Sequence, residues 1–228
     1  MSDDIPAISA ASRPAAVLWD MDGTLVDTEP YWLTAETELV HAWGGEWSIE
    51  DGLALVGSSL ERSSLILASR GVELEPGEII QLLTDRVLDQ LADEVPWRPG
   101  ARELLIALKD AGVPTALVTM SIRRMADHIA EAAGFPAFDV VIAGDEVVNG
   151  KPDPEPYLRA AQALGVEPSD CIAVEDSEFG VASAVASGAT TLAVPLHVPL
   201  PPSPAYTLWD SLDGRTIDDL FALRKVSR

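Results

Sequence analysis

Cysteine is nearly absent from this 228-residue chain. Cys171 stands alone, so no disulfide can close within it, and its place in an apolar, strand-like run marks a buried structural thiol. Lysine is almost as scarce, at positions 109, 151 and 225 only. No apolar run approaches the ~20 residues that span a bilayer, and no basic segment followed by a hydrophobic one opens the chain. The expectation is a soluble, cytoplasmic protein without a membrane partner. Positive charge is short overall: 15 Lys and Arg stand against 37 Asp and Glu, a formal net charge of -22. Such a field repels nucleic acid. An anionic ligand can be held only where a metal and a few basic groups reverse the field locally.

What remains is enough chain to bury a real core, as one large domain or a domain with an insertion. Residues 1–14 mix Ser, Asp, Pro and Ala without periodicity and read as a flexible tail. An apolar strand is predicted over about 15–20. From Pro30 to about Glu94 the spacing turns helical. Leu33, Thr37 and Val40 share one face of a helix ending near Gly44-Gly45, and 60–68 and 79–91 suit two more. Pro96-Trp97-Arg98-Pro99-Gly100 then punctuates the chain. Beyond it, helices over 101–111, 122–133, 154–164 and 178–187 alternate with apolar strands over 113–118, 139–142, 171–174 and 190–194. This alternation predicts a doubly wound α/β core with a parallel sheet covered on both faces. The core would comprise 15–29 and 97–228, with the helical block 30–96 inserted through linkers near 28–31 and 95–99. Pro195 to Pro204 reads as a surface connection, and 206–228 as a short strand and a final helix.

Polar residues gather at the predicted strand ends, where open parallel sheets bind ligands. The first strand delivers Asp20 and Asp22, followed by Gly23, which permits a tight turn. Two carboxylates about 4 Å apart repel by roughly 4 kcal/mol at an effective dielectric of 20, so the pair calls for a cation, a shared proton or a reaction. The strand 113–118 delivers Thr119, Met120 and Ser121, and the strand 171–174 delivers Glu175 and Asp176. Lys151 arrives from the loop Gly150-Lys151-Pro152-Asp153-Pro154. Taken singly these are ordinary caps and turns. Their order and placement give them joint weight.

The motifs Asp20-Met21-Asp22-Gly23-Thr24, Thr119, Lys151-Pro152-Asp153-Pro154 and Glu175-Asp176-Ser177 with Gly180 resemble those of the haloacid dehalogenase superfamily, in its helical-cap branch of phosphatases and β-phosphoglucomutase-like enzymes. The resemblance covers about residues 15–195. It implies a Rossmann-like core with the 30–96 block as a cap, and a phosphoryl-transfer reaction. By the same resemblance Asp20 is the nucleophile, ionised without help, and Asp22 the general acid and base. Gly23, Thr119, Met120, Ser121 and Lys151 would surround phosphate. Mg2+ would be held by Asp20, the Asp22 main chain and Asp176, with Glu175 either a ligand or an acceptor behind the ligands. Relatives usually carry Asn or Ser where Met120 stands; the expectation is altered packing with activity kept.

Several family chemistries are weighed by residues. Asp22 argues against the dehalogenase branch, and the absence of lysine between 30 and 95 removes the phosphonate-cleaving one. Mutases of this kind use a cap His to orient the acid/base and a Lys and an Arg to hold a second phosphate. The corresponding positions here resemble Trp32, Val56 and Leu60. Hydrolysis of a small phosphomonoester by a monomer is therefore expected, with the mutase reaction and a catalytically silent ligand-binding protein as alternatives. Trp32, Trp43 and Trp47 could line a stacking face or pack the cap. Arg62, Arg123 and Arg124 are not assigned to the site, and His41, His128 and His197 show no ligand spacing.

Overall fold

The computed structural model describes residues 13–92 and 94–224; nearly all of the 1–14 tail, and Lys225, lie outside them. Six strands form one sheet: β1 (Ala16–Trp19), β2 (Thr115–Val118), β3 (Val140–Ile142), β4 (Cys171–Glu175), β5 (Thr190–Ala193) and β6 (Thr207–Leu208). Their order is β3-β2-β1-β4-β5-β6 and every pairing is parallel. The chain therefore starts in the middle, winds outward on one side and returns to wind outward on the other. That reversal opens a crevice at the carboxyl ends of β1 and its neighbours.

Strand alternation explains why both faces are covered. On β1, Val17 and Trp19 enter one apolar cluster with Leu104, Leu105 and Leu108 of α5 (Ala101–Asp110) and Met125 and Ile129 of α6 (Arg123–Ala132). Ala16 and Leu18 point the other way, into a cluster with Tyr157, Ala160 and Ala161 of α7 (Glu155–Leu164) and Ala184 of α8 (Glu178–Ser187). Cys171 lies there too, buried and free, its thiol pushed up to about 11 by burial. A last helix, α9 (Ile217–Phe221), closes the described chain against α5.

Between β1 and α5 come four helices: α1 (Glu29–Ala42), α2 (Ile49–Leu53), α3 (Leu60–Ser69) and α4 (Pro76–Leu91). Leu39, Leu67, Ile79, Leu83 and Val87 form their shared interior, continuous with the first sheet cluster. Only α2 has no counterpart among the helices predicted above. Five residues are too few for periodicity to register, and its signature is local: Ser48 and Asp51 close a capping box. The two segments joining this block to the sheet pair with each other. Val26 bridges Trp97, the Asp27 N–H donates to the Pro96 carbonyl at 2.9 Å, and the Arg98 N–H to that of Leu25 at 2.8 Å.

Candidate active site

Asp20 follows β1 directly, is only 6 % exposed, and uses its two oxygens differently. Oδ1 accepts from Lys151 Nζ at 2.6 Å, whereas Oδ2 is buried without a hydrogen-bond partner among the described residues. Burial and the neighbouring Glu175 charge raise the Asp20 carboxyl to about 7, against the opposing pull of Lys151. Lys151 also lies 2.6 Å from Glu175 Oε1 and donates to the Val118 carbonyl at 3.0 Å. Burial disfavours its ammonium, but the two carboxylates overcome that and hold its pKa above the ordinary value.

Glu175 is fully buried and occupied on both oxygens. The Tyr157 hydroxyl donates to Oε1 at 2.7 Å, and the Asp176 N–H to Oε2 at 3.1 Å. Gly180 makes room for it: a methyl there would lie 1.9 Å from Oε2. Asp176 packs on Gly23 in the same manner. Gly23 has φ +78°, and a Cβ would stand 2.1 Å from Asp176 Oδ2, so both the turn and the close approach require glycine. Burial raises the Asp176 carboxyl well above the usual range, as do Asp20 and Glu175. Asp20, Glu175 and Asp176 each offer an oxygen within 4.8 Å of the others.

Asp22 is held by four donors. Thr28 Oγ1 and Trp32 Nε1 reach Oδ1 at 2.5 and 3.2 Å, while Thr119 Oγ1 and Ser121 Oγ reach Oδ2 at 3.2 and 2.8 Å. The structure thus brings Asp20, Asp22, Thr119, Met120, Ser121 and Lys151 to one cavity of ≈ 60 Å³. Met120 contributes its sulfur, which accepts the Lys151 N–H at 3.2 Å. Glu175 and Asp176 flank that group without lining the cavity.

Other candidates are elsewhere. Of the tryptophans only Trp32 lines the cavity; Trp47 is buried behind it and Trp43 is 40 % exposed. Leu60 lines it and Val56 does not. Arg62 stacks on Phe179, Arg123 pairs with Glu146, and Arg124 with Asp85. His197 pairs with Asp27. Sequence reasoning missed Glu29, Glu36 and Ser58, which also line the cavity, along with Tyr157, Thr28 and Arg98. Glu29, Trp32 and Glu36 stand at i, i+3 and i+7, a one-face spacing that carried the signal. Arg98 is buried in the second linker and donates from Nη1 to the Gly23 and Val194 carbonyls, at 2.6 Å each.

A doubly wound sheet here gathers carboxylates, hydroxyls and one buried lysine at its carboxyl edge, an arrangement suited to phosphoryl transfer. The comparisons agree. Residues 14–188 match the family model described as haloacid dehalogenase-like hydrolase, and the chain belongs to that family. Among relatives, Protein CbbY of Rhodobacter capsulatus is 35% identical over 192 residues, 79% of this chain and 85% of that protein. Fructose-1-phosphate phosphatase YqaB of Escherichia coli (strain K12) is 33% identical over 180 residues, 77% of this chain and 94% of that one. A crystal structure of CbbY from Rhodobacter sphaeroides in complex with xylulose-(1,5)bisphosphate superposes with TM-score 0.81 at 29% identity, covering 91% of this chain and 99% of that one.

Proposed function

We propose that the protein is a Mg2+-dependent phosphatase that hydrolyses a small-molecule phosphomonoester through an aspartyl-phosphate on Asp20, with residues 30–96 acting as a cap over a core of 15–29 and 97–228. The observation that carries this reading is the asymmetry of Asp20. Lys151 fixes Oδ1, and Oδ2 is left as a buried, unengaged oxygen beside the only other carboxylate the sheet delivers to that cavity, Asp22. Oδ2 attacks phosphorus and the ester P–O bond breaks. Asp22 gives its proton to the departing alkoxide, then takes one from the water that hydrolyses the aspartyl-phosphate. Lys151 and the Thr119 hydroxyl steady the charge on the phosphate oxygens.

The donor set suits Mg2+, which prefers hard oxygen ligands. Both Glu175 oxygens are already engaged, one by Lys151 and Tyr157 and one by the Asp176 N–H. As the family resemblance implies, Asp20, Asp176 and the Asp22 main-chain oxygen would hold the ion, with Glu175 anchoring Lys151 behind them. When bound, Mg2+ supplies the positive charge that neutralises phosphate in an otherwise acidic site.

YqaB and CbbY support a phosphorylated carbohydrate-like substrate. The bisphosphate bound by CbbY has no counterpart charge here, since among the described residues Lys151 is the only basic side chain lining the cavity, and this disfavours the mutase alternative. Trp32 supplies a neutral donor to Asp22 where the mutases use His.

Phosphate release from a panel of phosphorylated metabolites, with Mg2+ and with chelator, tests the reading. Release should require Mg2+ and fall by roughly 10³-fold or more in Asp20→Asn. Ligand binding without turnover in the parent protein would identify a silent binding protein instead. Conversion of β-glucose-1-phosphate to glucose-6-phosphate without net release would identify a mutase.

A further inference from the structure

The cavity that holds Asp20 and Asp22 has a second end, built by α1, α2 and α3, and its charged groups there carry one sign. Glu29, Trp32 and Glu36 share one face of α1 and line the cavity together with Ser58, Leu60 and Ser63. Glu36 is 6 % exposed. One of its oxygens accepts the Trp47 indole N–H at 3.2 Å, and no cation faces it among the described residues. Glu29 has neither a hydrogen bond nor an ion pair among them.

The neighbouring cations are committed elsewhere. Lys151 is bound to Asp20 and Glu175, Arg62 lies on Phe179, and Arg70 pairs with Asp51 at 2.6 Å. One carboxylate withdrawn from water and a half-buried one beside it, without a counter-ion among the described residues, are unfavourable. Burial accordingly raises Glu29 to about 8 and Glu36 to about 7. A third group points the same way: the Ser58 hydroxyl oxygen is buried with no hydrogen-bond partner among the described residues. This end therefore offers acceptors from three residues and, among the described residues lining it, no positive charge.

An ammonium group is the complement of that arrangement, with three N–H donors, one positive charge and no acceptor. A sugar hydroxyl brings one donor and no charge. A second phosphate or a carboxylate would meet two uncompensated carboxylates.

We propose that the substrate is the phosphomonoester of an amine-bearing alcohol, whose ammonium is recognised by Glu29, Glu36 and Ser58; this rests on the phosphatase reading of the same cavity. The reaction balances as ordinary hydrolysis. The P–O ester bond breaks, the amino alcohol leaves with a proton from Asp22, and water supplies the new oxygen of inorganic phosphate. The two glutamates bind and take no part in bond making.

Matched pairs test it: aminoethyl phosphate against hydroxyethyl phosphate, and glucosamine-6-phosphate against glucose-6-phosphate, with p-nitrophenyl phosphate as a substrate indifferent to the second end. In the parent protein the better amine should exceed its hydroxyl partner by about tenfold or more in kcat/KM. Glu36→Gln and Glu29→Gln should bring that ratio close to one, with folding checked by thermal melting. Equal or reversed preference in the parent protein, alongside turnover of p-nitrophenyl phosphate, overturns this inference and leaves the phosphatase reading standing. Absence of Mg2+-dependent release from every ester overturns both. The parent comparison decides the matter even if a variant does not fold.

Discussion

At the scale of single residues, what a carboxylate can do is set by who else holds it. Asp20 keeps one oxygen free because Lys151 takes the other; Glu175, engaged on both oxygens, can only anchor. Glu36 differs from both, buried against an indole without a cation. Its carboxyl lies near 7 in the folded protein against an ordinary 4.5, so between those values the folded state retains a proton that the unfolded chain releases. Stability contributed by this group is then lost as pH rises through that window, by at most about 3 kcal/mol. Glu36→Gln should accordingly stabilise the ligand-free protein near pH 8, with the gain vanishing below about pH 4.5. Urea denaturation at several pH values measures this, and a gain independent of pH would mean that the Glu36 carboxyl titrates alike in the folded and unfolded chain. Asp20, Asp22, Thr119, Lys151 and Asp176 were legible in the sequence because each follows a strand or opens a helix at the sheet's carboxyl edge. Glu36 was not, because a mid-helix glutamate looks solvated until α2 and α3 close over it.

At the scale of elements, the strands were legible because β1 is short and wholly apolar and β4 is apolar up to its terminal Glu175. The alternation of helix with strand then left a parallel sheet as the natural answer. Less legible was the way the two linkers bind each other and the first motif. Arg98 reads as a polar interruption between prolines, yet its guanidinium ties the Gly23 carbonyl to that of Val194. It therefore connects the turn after β1, the strand end of β5 and the base of the helical block. Arg98→Met should leave two buried carbonyls short of a charged donor and destabilise folding by about 2–3 kcal/mol. It should also lower kcat more than it raises KM, since the Gly23 turn positions reacting groups. Chemical denaturation with steady-state kinetics checks this; an unchanged kcat would confine Arg98 to a structural role.

At the scale of the whole molecule, a net charge of -22 opposes the approach of a phosphate dianion to a site that must receive one. Screening shortens the reach of that field from about 30 Å at 0.01 M salt to about 8 Å at 0.15 M. At fixed Mg2+, KM for p-nitrophenyl phosphate should fall roughly two- to fivefold over that range. A KM that rises with salt would show that local positive charge dominates the encounter. The molecule's two parts also share custody of Asp22. Thr28 and Trp32, at the start of α1, hold one of its oxygens, whereas Thr119 and Ser121, beyond β2, hold the other. If the helical block swung away from the sheet, Asp22 would keep only half its grip at the moment bulk water entered. On the proposed reading this makes a two-key lock: the residue that would activate water is fully aligned only while the helical block sits against the sheet.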